Sequence, residues 1–66
     1  MNFIEELKGY GDYANRSATI SSCNNALHVE MYDELGLALH TIIRNKTLRY
    51  AEDCAENWVT GVLHND

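Results

Sequence analysis

The sequence predicts an all-α fold, a small three-helix bundle with helices over about residues 2–15, 25–45 and 47–63. Two observations carry this expectation. Apolar residues recur at intervals of three and four along each segment, and no proline interrupts them. The links between segments are short and polar, so the helices are expected to form a bundle that is closed in itself or completed by homodimerisation. An α+β alternative, with a short hairpin at 17–32, competes over the middle of the chain.

In the first segment Phe3, Leu7, Tyr10 and Ala14 share a helical face, with Glu5, Lys8 and Asp12 on the other side. Asn2 is a fair N-cap, and Glu5 stands three places later, as in a capping box. Gly9 and Gly11 each weaken this helix by about 1 kcal/mol relative to alanine. Residues 16–25, "RSATISSCNN", read as a connector rich in turn and cap residues. The rival reading pairs "SATIS" with "LHVEMY" across "CNNA", because Ala18 and Ile20, then Leu27, Val29 and Met31, alternate with polar residues.

Between Asn25 and Asn45 the helical template accounts for more residues than the strand template does. Leu27, His28, Met31, Tyr32, Leu35, Ala38, Leu39, Ile42 and Ile43 fall on one broad face, with Glu30, Asp33, Thr41 and Arg44 opposite. "RNKT" then joins basic residues to a threonine N-cap, where one helix ends and the next starts. In the last segment Leu48, Ala51, Cys54, Ala55, Trp58, Val59 and Val62 share a face, opposed by Arg49, Asp53, Glu56 and Thr60. Glu52 and Asp53 suit the early turns of this helix, and Trp58 is expected to fill a core against Phe3, Leu35 and Ile42.

At 66 residues the chain is read as one domain, 1–66. A chain this short buries only about 60% of the surface it exposes when unfolded, which favours help from a partner. Cys23 and Cys54 are too sparse for a disulfide scaffold and read as reduced, small hydrophobes. The start, "MNFIEELK", lacks the basic and apolar parts of a signal peptide, and no run approaches the roughly 20 residues that span a bilayer, so a cytoplasmic protein is expected.

Five basic against ten acidic residues give a formal net charge of −5. That balance disfavours direct binding to nucleic acid, whose phosphates are neutralised by lysine and arginine. It suits solubility alone, or steering toward a basic protein surface.

No motif selects a catalytic or metal site. Cys23, His28, His40, Cys54 and His64 stand apart, without the close pairs of a zinc site, so no metal and no cofactor is expected. Cys54 lies on the apolar face between Ala51 and Trp58, where a thiol is inert packing. The adjacent pairs Glu5 and Glu6, Asp33 and Glu34, and Glu52 and Asp53 point apart on a helix and do not converge on one proton. "GYGDY" lacks the strand before it and the lysine after it that make a P-loop. Arg44, Lys46 and Arg49 suit a helix end or an anion contact but are too few to claim nucleic acid.

Residues that fit no buried face remain. Leu37 sits on the polar side of the middle helix, Tyr13 and Tyr50 lie on margins, and Ile20 fits no face. Together they suggest a contact surface. His28 is placed inward, and His40 at a solvated or interface edge.

The expected function is therefore a non-catalytic, acidic protein-protein interaction module whose partner surface is formed by Glu30, Asp33, Glu34, Leu37, Asp53 and Glu56. In size and composition alone the chain is similar to small acidic proteins that phages and mobile elements encode to inhibit a host complex. That likeness implies an inhibitor of a basic, nucleic-acid-binding partner and assigns no residue roles. The alternative is a structural homo-oligomeric helical bundle with no inhibitory role; a metal-assisted or thiol enzyme is the third possibility.

Overall fold

The computed structural model describes residues 2–62. It corrects the all-α expectation: a four-stranded antiparallel sheet carries a single α-helix on one face. The strands are β1 (Asn2–Lys8), β2 (Ser17–Cys23), β3 (Ala26–Asp33) and β4 (Gly36–Ile43), in spatial order β1-β2-β3-β4, followed by α1 (Leu48–Val59). The α+β alternative is closer. Its hairpin at 17–32 corresponds to β2 and β3, paired from Ser17 opposite Tyr32 to Cys23 opposite Ala26.

Turn chemistry explains why the helix reading fails. Asn24 and Asn25 both take left-handed backbone, at φ 53° and 63°. Two successive such residues match the twist of a two-residue hairpin, and asparagine tolerates them better than most residues. A helix starting near Asn25 cannot begin there. The second turn, Glu34 and Leu35, is closed by the Asp33 carboxylate, which accepts from the Leu35 backbone N–H at 2.8 Å. These two turns convert the predicted helix 25–45 into β3 and β4.

With period two in place of 3.6, the apolar residues sort differently. Ala18 and Ile20 of β2 lie opposite Met31 and Val29 of β3, and all four are fully buried. Ile20, homeless on a helical template, is thus central. Leu39 and Ile43 of β4 extend this inner face across Met31 and Leu27, and Leu7 of β1 extends it on the other side across Ala18. Residues assigned to a helical core come out instead: Leu35 is 92% exposed at the β3-β4 turn, Phe3 62% and Ile42 46%.

The predicted helix 2–15 is likewise replaced, by β1 and a loop with a 3-10 turn at Gly11–Tyr13. Only the last segment is helical, and over 48–59 rather than 47–63; residue 63 lies outside the described residues. Thr47 caps it, its hydroxyl accepting from the Tyr50 N–H at 3.4 Å. Ala51 and Ala55, one turn apart and fully buried, let the helix approach the sheet closely. Trp58, buried beside them, donates its indole N–H to the Tyr32 carbonyl at 3.0 Å and so pins α1 to β3. The helix lies over β2 and β3 and leaves β4 largely uncovered.

Candidate functional site

The antiparallel meander gathers the β1-β2 loop and the β3-β4 turn at one end of the sheet. Gly9 N–H donates to the Arg16 carbonyl at 2.8 Å and closes the loop, while Arg16 N–H donates to the Tyr13 carbonyl at 2.9 Å inside it. Asn15 Nδ2 donates to Glu34 Oε2 at 3.4 Å and ties loop to turn. Between them lies a shallow cleft of about 310 Å³ lined by Asp12, Tyr13, Asn15, Arg16, Asp33, Glu34 and Leu35.

Arg16 is the cation of this cleft, and its geometry is structural. Its guanidinium stacks 4.0 Å above the Trp58 ring and 5.1 Å from that of Tyr13, and Nη1 donates to the Trp58 carbonyl at 3.0 Å near the helix C-terminus. The Tyr13 ring also covers Gly61, so loop and helix end are locked together. Among the described residues no ion pair neutralises Asp12, Asp33 or Glu34, since the one ion pair there joins Arg49 Nε to Asp53 Oδ1 at 3.1 Å. The result is an acidic pole with an exposed leucine at its tip.

The six residues expected to form one partner surface fall on three. Asp33 and Glu34 belong to the acidic pole. Glu30 and Leu37 lie on the sheet face away from the helix, where Glu30 accepts from the Tyr32 hydroxyl at 3.4 Å and Leu37, 55% exposed, stands opposite Tyr32. Asp53 and Glu56 lie on the exposed side of α1, Asp53 in its ion pair with Arg49. A helical reading misses Asp12 and Leu35 as partner residues, because it puts one in a solvated stripe and the other in the core. The signal available was "DELG", an aspartate-closed turn ahead of a glycine.

The open face also corrects the placement of His28. It points away from the core, and its Nδ1 lies 3.0 Å from Nε2 of His40 on the neighbouring strand, one nitrogen donating and the other accepting. No group of three or more histidine, cysteine or acidic side chains among the described residues can hold a metal ion, and His64 lies outside those residues.

Cys23 and Cys54 are both free thiols. Burial pushes the Cys54 thiol up, away from the reactive thiolate. It lines a second cleft, of about 300 Å³, with Thr41, Tyr50, Asp53 and Asn57, where the one carboxylate, Asp53, is engaged by Arg49.

Two carboxylates do converge, though not the adjacent ones. Glu5 of β1 approaches Glu52 of α1, and the Glu52 carboxyl beside it, together with burial, raises the Glu5 carboxyl above its ordinary 4.5, while Glu5 Oε1 is buried without a hydrogen-bond partner. The single described helix is not long and apolar enough to cross a membrane. No protein-family model matches the chain, and no curated protein and no solved structure is significantly similar to it.

Proposed function

We propose that this chain is a non-catalytic protein-interaction module that docks its acidic pole on a basic protein surface. The observation that carries the reading is the pole itself: Asp12, Asp33 and Glu34, without ion-pair partners among the described residues, surround Leu35, the most exposed large apolar side chain described. Carboxylates give steering and register, and a projecting leucine gives a buried contact at the centre. The complementary surface is cationic with an apolar dent, as nucleic-acid-binding proteins present; occupying it would exclude their nucleic acid and make the module inhibitory.

The test is capture of partners from the native cell by wild-type protein, by Asp33→Lys/Glu34→Lys and by Leu35→Ala. At roughly 0.5 kcal/mol per attraction lost and per repulsion gained, the double reversal weakens binding by about 2 kcal/mol, or about thirtyfold. Capture that is unchanged in both variants would refute the reading. Self-association is a second reading, favoured by one specific feature, the uncharged and uncovered edge strand β4.

A further inference from the structure

The two edges of the sheet are built differently. β1 carries Glu5, Glu6 and Lys8 and is broken by a bulge between Phe3 and Glu5, the devices that stop an edge from pairing. β4, "GLALHTII", has no charge and no proline in eight residues, although it too bears a row of unpaired backbone groups. Its irregularity lies near its start, between the pairs Met31-Leu39 and Tyr32-Leu37, which leaves Leu39 to Ile43 as a regular stretch. The helix does not cover this edge, and clefts of about 300 and 210 Å³ lie along it beside Thr41.

Charge decides what fits there. The strand runs from the acidic pole, Asp33 and Glu34, to a basic one, Arg44 and Lys46, both exposed. An antiparallel neighbour of the same sequence reverses that order and meets each pole with its opposite.

We propose that a second copy of this chain pairs with the first along β4, antiparallel and centred on Thr41, so that two four-stranded sheets become one of eight strands. The two-fold axis then stands perpendicular to the sheet, and both helices lie on one side. In this register Leu39 lies opposite Ile43 of the second copy and His40 opposite Ile42, and the Arg44 end of each strand points toward the acidic end of the other. The dimer rests on the acidic-pole reading, and makes the basic surface this chain's own.

Light scattering of the chain at about 100 μM is expected to give twice 7.5 kDa. Ile42→Lys, which adds a charge to the edge at a half-exposed site, should give a monomer with unchanged circular dichroism. Asp33→Lys/Glu34→Lys and Arg44→Glu/Lys46→Glu should each raise the dimer dissociation constant about tenfold or more, and an equimolar mixture of the two should form a heterodimer near wild-type affinity. The mixture keeps the dimer testable should Ile42→Lys misfold. A monomeric wild-type chain, or reversals that leave the dimer intact, would overturn it. If the chain is monomeric and acidic-pole reversal still abolishes capture of another protein, the dimer falls and the acidic-pole reading stands; if the dimer forms as described but Asp33→Lys/Glu34→Lys captures other partners as wild type does, the pole serves self-association alone.

Discussion

Replacing Trp58 with phenylalanine removes one hydrogen-bond donor and one ring from the contact that joins helix to sheet. The Tyr32 carbonyl loses its 3.0 Å indole donor, and leaving a partly buried acceptor unpaired costs about 1–3 kcal/mol. The space of the missing ring adds roughly 1 kcal/mol. Phenylalanine keeps part of the stacking under Arg16, worth about 0.5–1 kcal/mol in full, so the total loss is about 2–4 kcal/mol. At about 0.05–0.15 kcal/mol per residue, a chain of this length has only about 3–10 kcal/mol to lose. With a urea slope near 1 kcal/mol/M, the midpoint should fall by about 2–4 M, and at the lower limit of stability the variant is unfolded without urea. Far-UV circular dichroism is the right assay, because Trp58 is the only tryptophan and its fluorescence leaves with it. A midpoint shift under about 0.5 M with an unchanged slope would refute the view that Trp58 pins α1 to β3.

Three further outcomes are expected from the fold. Because the Glu5 carboxyl is raised in the folded state, the native protein binds more protons than the unfolded chain, so its stabilising contribution is present below the ordinary value of 4.5 and is lost as pH rises through the folded value. Urea midpoints across that window should therefore decline in wild type and decline less in Glu5→Gln, and identical profiles would count against the Glu5-Glu52 contact. Asn25→Val forces a β-branched side chain into left-handed backbone and should lower stability by about 1–2 kcal/mol, whereas Asn25→Gly should be neutral or stabilising in the same thermal melt; equal effects would exclude the two-asparagine turn. Gly61→Ala places a methyl against the Tyr13 ring at φ 83° and should lower the melting temperature by about 4–8 °C or more, against no change if loop and helix end are not locked.

What could be read from the sequence was set by how many residues compete for each position. The last helix was legible because Thr47, the two alanines and Trp58 fit the 3.6 period and resist the period of two. Between Leu27 and Ile43 apolar residues are so dense that a helical stripe fills completely, while the true alternation runs through the same letters. Asn24 and Asn25 held the deciding information, since a two-residue hairpin turn uses two left-handed residues in succession and a right-handed helix admits none. The site was less legible than the fold. Asp33 and Glu34 could be nominated as exposed acids, but Asp12 joins them through a loop that is tied down by a hydrogen bond between residues 19 positions apart. Leu35 reads as core on a helical template because its exposure depends on a turn that such a template erases. Glu5 and Glu52 meet across two elements, which adjacent-pair reasoning cannot see.

The acidic pole around Leu35 is the binding surface we propose. It is tested most directly by the affinity of wild-type protein for its captured partner between about 50 and 500 mM salt, alongside Asp33→Lys/Glu34→Lys. Wild-type affinity is expected to fall steeply with salt, and the variant to bind weakly with little further loss. An affinity indifferent to salt, with the variant binding as tightly as wild type, would contradict the claim.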